Sequence, residues 1–229
     1  MSEKKIQSFG YLILPSIVAQ IFMFIVHLTF NQNIFADIYL LSIRTTSVEG
    51  SLFITTIFTI KRNGLSLGTK KKDLQVSMAF LIAVVSFVTL IITFSIVNFL
   101  AELNIAMRKT ILIGETSIAK PSIELIIVTT IVSIGIHSIV EELYFRFTLI
   151  ESLLKQGYSS KWVIRFQAFL FMLWHWYFGI LLGWPFTLVM GYLLGLLYIK
   201  TRTLENTIIS HAFLNLFLVV TMIVMTLQP

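Results

Sequence analysis

The chain contains no cysteine, which removes a disulfide framework and any thiolate site at one stroke. Charge is also scarce. Asp, Glu, Lys and Arg supply 12% of the 229 residues, about half the share of an ordinary soluble domain. No internal repeat, low-complexity tract or long linker divides the chain, and no compact H-E-x-x-H helix of the zinc-peptidase kind occurs in it. These absences exclude a disulfide-stapled secreted domain, a cysteine enzyme and a conventional soluble globule. What is there is apolar: hydrophobic residues make up 57% of the chain, against about 45–50% in soluble proteins.

The apolar residues are gathered in runs. Since about 20 such residues span the hydrocarbon core, the pattern predicts seven helices, at roughly 10–31, 36–60, 74–100, 121–149, 161–182, 185–200 and 204–227. The second is interrupted by Arg44 and Glu49, and the sixth is short and follows Trp184-Pro185. The expectation is an all-α polytopic integral membrane helix bundle, one membrane domain over residues 1–229. Tyr11 to Phe30 is of spanning length and no small-residue cleavage pattern follows it, so a retained anchor is expected rather than a signal peptide.

The formal net charge of +6 sits beside the apolar runs. That placement makes the lipid bilayer, and no nucleic acid, the expected partner. Lys61, Arg62 and Lys70 to Lys72 mark the connection after the second helix as cytoplasmic, and Lys4 and Lys5 put the N-terminus on the same side. Lys155 and Lys161, then Lys200 and Arg202, agree by parity. The 101–120 loop opposes with Arg108, Lys109 and Lys120, offset by Glu102 and Glu115. The N-terminus is thus expected in the cytoplasm and the C-terminus outside. The Ile, Lys, Asn and Phe content, with the missing cysteine, fits a bacterial cell membrane.

Against this background the polar residues inside the runs stand out. Thr129 to Val140 carries no Asp, Glu, Lys or Arg, yet Glu141-Glu142-Leu143-Tyr144-Phe145-Arg146 follows. A charge within a membrane helix costs about 2.5–3.5 kcal/mol on insertion scales and is a functional candidate by default. Later runs carry Phe171 and His175, then His211 and Asn215. Residues four apart share a helix face, so Glu142 and Arg146 are expected to pair. Glu141 points about 100° away. One carboxylate is then held by arginine and the other is free to act. Counted along the helices, Glu142 and His211 lie about two turns from the cytoplasmic side, and His175 roughly 20 Å in. A carboxylate and a histidine suit deprotonation of water; a second histidine and an amide suit hydrogen bonding to an oxyanion.

E-E-x-x-x-R, F-x-x-x-H and H-x-x-x-N, in that order on successive membrane helices, resemble the CPBP family. This is the group of CAAX prenyl endopeptidases (type II, Rce1-like) and bacteriocin-processing or immunity proteins. Glu141, Glu142 and Arg146 match the first motif, Phe171 and His175 the second, His211 and Asn215 the third; Gly191 to Tyr198 and Thr201 to Leu204 resemble the run before it. The resemblance covers about residues 121–216, a catalytic core within the single domain. It implies that Glu141 and His175 activate water, that His211 and Asn215 stabilise the oxyanion, and that Glu142 and Arg146 support the geometry. No cofactor is implied by that assignment. A metal-dependent reading stays open, with Glu141, Glu142, His175 and His211 as ligands for a divalent ion such as zinc.

Blander roles compete with these. Glu141, Glu142 and Arg146 alone would read as a charge cluster snorkelling to the interface. His175, between Trp174 and Trp176, would read as part of an aromatic belt, and His211 and Asn215 as interhelical hydrogen-bonding glue. Three motifs together argue against all of these. His137, four residues before Glu141, is read as a packing group or a supporting partner. Gly191 and Gly195 are read as a close helix contact. Arg44 and Glu49 have no role assigned. The leading function is an intramembrane endopeptidase acting on a hydrophobic or lipidated peptide: a pheromone, a bacteriocin precursor or a lipidated tail. The alternatives are a non-catalytic immunity or scaffold protein and, with less support, a proton-coupled transporter, which the lack of inverted repeats disfavours. The oligomeric state is open.

Overall fold

Several carboxylates and amides lie inside this fold, and many large aliphatic side chains face outward from it. Glu49, Glu141, Glu142, Gln167 and Asn206 are buried, whereas Ile54 is 69% exposed and Phe58 and Ile131 are each 63% exposed. A protein folded in water inverts that pattern. A bundle solvated by lipid requires it, because each polar group must then find a partner within the protein. A computed structural model of the chain describes residues 10–21, 25, 38–66, 75–103, 127, 128, 130–175 and 183–227. The described residues form helices and no strand. They are α1 (Gly10–Ile21), α2 (Ile38–Arg62), α3 (Val76–Leu103), α4 (131–155), α5 (Ser160–Trp174), α6 (Trp184–Thr201) and α7 (Leu204–Leu227). The basic residues at 4, 5, 70–72, 108, 109 and 120, like Trp176, lie outside the described residues.

All seven expected helices are present, though they are not equally apolar. Among the described helices, α3 over Val76–Thr93 and α7 over Leu204–Thr221 are long and apolar enough to cross a membrane, with mean hydropathies of 2.6 and 1.3. These two run side by side in the same direction, with Phe80 against Phe213 and Phe217 and Phe87 against Phe217. The Gln75 amide, just before α3, donates to Asn206 Oδ1 at the start of α7.

Two boundaries differ from expectation. α4 continues past residue 149 to Lys155. There Gly157, at φ 86°, lets the Tyr158 and Gly157 amides bond back to the carbonyls of Leu153 and Leu154, the closure that glycine favours at a helix end. Glu142 therefore lies more than three turns from that end rather than about two. α5 stops at Trp174, because His175 leaves helical geometry at φ −96°, ψ 28°. α4 also changes pitch: Ile131–His137 and Leu143–Ile150 are π-helical, and the α-helical stretch Ser138–Glu142 between them carries both carboxylates. Such wide turns recur at functional sites.

α5 and α6 pack antiparallel through glycine. A Cβ on Gly191 would stand 3.1 Å from Ala168 Cα and 3.2 Å from Phe171 Cβ, whereas one on Gly50 in α2 would meet nothing within 4 Å. Gly191→Ala should therefore destabilise the bundle by about 1–3 kcal/mol through overpacking. Gly50→Ala should be neutral or stabilising by up to about 1 kcal/mol. Thermal unfolding in detergent checks the contrast.

Candidate active site

Three helices converge on the buried polar centre. α4 provides Glu141, Glu142 and Arg146; the end of α5 provides His175; α7 provides His211. The spacing on α4 does what the sequence predicts. Arg146 Nη1 stands 3.0 Å from Glu142 Oε1, with both side chains fully buried. The carboxylate lies off the axes of the guanidinium N–H groups, so the contact is an ion pair rather than an aligned hydrogen bond. The guanidinium also lies over the Phe171 ring, 4.4 Å from its centroid. Phe171 of the second motif thus supports the arginine of the first.

His211 Nδ1 donates to the same Glu142 Oε1 at 2.9 Å. This turns Nε2 toward Glu141, whose Oε2 is 4.0 Å away. His175 is fixed from the opposite end of its ring. Its Nδ1 lies 2.8 Å from the Phe171 carbonyl, which only accepts, so Nδ1 carries the proton. Nε2 then faces Glu141 Oε2 at 3.8 Å. Glu141 Oε1 accepts from Trp174 Nε1 at 3.0 Å, while Oε2 has no hydrogen-bond partner among the described residues. Asn215 is on α7, one turn beyond His211, and its amide donates to Ser138 Oγ on α4 at 3.1 Å.

Of the four residues named for the metal-dependent alternative, Glu141 Oε2 has His175 Nε2 at 3.8 Å and His211 Nε2 at 4.0 Å. Glu142 Oε1 already meets both Arg146 and His211 Nδ1, and the adjacent guanidinium repels a further cation there.

Several supporting residues have no sequence signal. Trp174 is buried rather than part of an interfacial belt. Its carbonyl accepts from Gln20 Nε2 of α1 at 2.9 Å, and Tyr144 reaches the Leu12 carbonyl of the same helix at 2.9 Å. α1 thus braces both α4 and the end of α5. His137 lies beside Glu49, Nδ1 to Oε1 at 3.6 Å, which gives both residues a location near the site. The side chain of Arg44 lies outside the described residues. Trp174→Phe removes the indole donor to Glu141 Oε1, the donor it has among the described residues. Losing a hydrogen bond to a buried carboxylate costs about 1.5–3 kcal/mol, so a lower melting temperature and a slower reaction are expected together, read by thermal unfolding and initial rates.

Fold and site together define a membrane-embedded helical bundle with a buried glutamate–histidine–arginine centre. Residues 123–217 match the family model described as type II CAAX prenyl endopeptidase Rce1-like, and this match supports a likeness to the CPBP group over that segment. The family is one of membrane-embedded proteases. All the motif residues lie within the matched segment; α1, α2 and α3 lie before it. No curated protein and no solved structure matches the chain.

Proposed function

We propose that this protein is an intramembrane endopeptidase in which Glu141 and His175 activate a water molecule against the carbonyl of a membrane-associated peptide. One observation carries the reading: Glu141 Oε2 and His175 Nε2, both acceptors in the neutral ring form, face each other at 3.8 Å. Two acceptors do not bond each other. A water between them donates one hydrogen to each, at about 2.8 Å, and keeps its lone pairs for attack.

As the water oxygen bonds to the carbonyl carbon, Glu141 takes one of its protons and the carbonyl oxygen becomes an oxyanion. Glu141 then gives that proton to the departing amine as the C–N bond breaks and the carbonyl re-forms. His211 acts on the oxyanion when its ring holds two protons, the Nδ1 proton donated to Glu142 and the Nε2 proton turned toward the reacting centre. Asn215 adds an amide donor from the next turn. Donors of this kind contribute about 10²–10³ in kcat each. Arg146 balances Glu142 and so keeps His211 oriented.

The membrane setting of the site supports a membrane-associated substrate. A peptide that partitions into the bilayer, such as a pheromone, a bacteriocin precursor or a lipidated tail, reaches a membrane-buried centre that a soluble peptide does not. The N-terminus is assigned to the cytoplasm and the C-terminus to the outside, from the basic loops. The test compares peptides released from membranes carrying the intact protein with those from a Glu141→Gln variant of equal abundance. Peptides found with the intact protein alone support hydrolysis and reveal the substrate. Identical pools, with an immunity phenotype retained, favour the non-catalytic scaffold instead.

A further inference from the structure

We infer that Gln20, on α1 and outside the segment that carries the family motifs, is a positioning residue for the water-activating pair; its part in turnover rests on the peptidase reading. Its Nε2 donates to the Trp174 carbonyl at 2.9 Å, and that carbonyl belongs to the last residue of α5. The last carbonyls of a helix lack partners within it, and hydrocarbon offers none in their place. In a continuous helix the Trp174 carbonyl would accept from the backbone amide four residues on. The chain instead leaves helical geometry at His175, at φ −96° and ψ 28°, and the Gln20 amide meets the carbonyl at that break. A donor placed there stabilises the bent backbone relative to a continued helix.

The break decides where two neighbours of Glu141 stand. Trp174 and His175 are consecutive, and between them they address both oxygens of one carboxylate. The Trp174 indole donates to Oε1 at 3.0 Å, and His175 Nε2 faces Oε2 at 3.8 Å. A shift of the Trp174 backbone therefore moves the indole and the imidazole together. α1 is itself held in register by a second tie. Leu12, Ser16 and Gln20 are spaced four apart and so share one face of α1. On that face Tyr144 Oη donates to the Leu12 carbonyl at 2.9 Å and stands 3.1 Å from Ser16 Oγ. Tyr144 is on α4, three residues after Glu141, so the second tie joins α1 to the helix that carries the carboxylate. A hydrogen bond between helices that served packing alone would need no link to Glu141. The Trp174 indole provides that link.

Nitrogen–proton NMR of the indole groups, on the purified full-length protein in detergent, reads this geometry without a substrate. The chain has four tryptophans, and Trp174→Phe identifies the Trp174 signal. Gln20→Met keeps the length of the side chain and removes the donor; Gln20→Asn keeps the amide and shortens its reach. Both should move or split the Trp174 signal as the bond to Glu141 loosens. Tyr144→Phe cuts the other tie of α1 and should lower the melting temperature while leaving that signal in place. Gel filtration confirms that each variant is folded. With the peptide released in the Glu141→Gln comparison as substrate, each Gln20 change should lower kcat at least about tenfold, since a misplacement of about 1 Å can cost about 10²-fold. KM should change less than about threefold, because the bond does not serve substrate binding. A Trp174 signal that stays put in both Gln20 variants, or that moves as far with Tyr144→Phe, overturns the assignment. So does a kcat within about twofold of the intact protein. If the intact protein releases no peptide that depends on Glu141, the peptidase reading falls instead, and the indole signal still decides whether Gln20 positions Trp174.

Discussion

Glu141→Gln should slow peptide release by about 10³-fold or more while the bundle stays folded. Glutamine keeps the size of the side chain, and its carbonyl still accepts from Trp174 Nε1, the bond that spans 3.0 Å in the intact protein. What it loses is the ability to take a proton from water. A positioned general base contributes about 10²–10⁴, and here the same group also returns the proton to the leaving nitrogen, so the loss falls at the upper end of that range. Stability should move the other way or not at all. The centre holds more buried carboxylate than buried cation among the described residues, and neutralising one of two neighbouring carboxylates removes repulsion and desolvation cost. His175→Asn should show a rate loss of similar size. The double variant should be little worse than either alone, since both residues act on one water. Initial rates and melting curves on the same preparations check this; a Glu141→Gln rate within tenfold of the intact protein excludes the base role.

The parts of the site that were legible in the sequence are those made within one helix. Glu142 and Arg146 pair because a four-residue offset places them on one face, and His175 lies over Phe171, ring centroids 4.4 Å apart, for the same reason. The existence of the seven helices follows equally from local composition. The rest depends on partners far apart in the chain. Gln20 supports the Trp174 carbonyl across 154 positions, and nothing in the α1 sequence marks that residue. Trp174, flanked by more aromatic residues, reads as a belt, and only the tertiary fold turns its indole N–H onto Glu141.

Boundaries fail for a related reason. The apolar run of α5 continues beyond Trp174 in the sequence, so periodicity gives no cause to stop there; the bond between the His175 ring and the Phe171 carbonyl accompanies the departure from helical geometry. At the end of α4 the expected helix ends at residue 149, but Glu151 accepts from Tyr198 at 3.0 Å and pairs with Arg202, and these contacts hold the added turn. Counting from the end of the apolar run at residue 149 therefore places the carboxylates too near the helix end.

Arg146→Ala should be the most destabilising single change in the centre, by about 3–5 kcal/mol, the cost of leaving one member of a buried ion pair unbalanced. The guanidinium is fully buried against Glu142 and stacks on Phe171, so its removal also opens space beside the ring. Arg146→Lys should recover little, since an ammonium lacks the planar group that stacks on an aromatic face. The decisive comparison is the double variant Arg146→Ala with Glu142→Gln. If the loss arises from an unbalanced carboxylate, neutralising Glu142 restores a substantial part of the stability, and the double variant unfolds at a higher temperature than Arg146→Ala alone. If the loss arises from packing against Phe171, the second change adds to the first. Activity need not return in the rescued protein, because His211 Nδ1 then faces an amide instead of the carboxylate that orients its ring at 2.9 Å in the intact protein. Stability recovered without turnover would separate the two tasks of Glu142: balancing Arg146 in the fold and orienting His211 at the site.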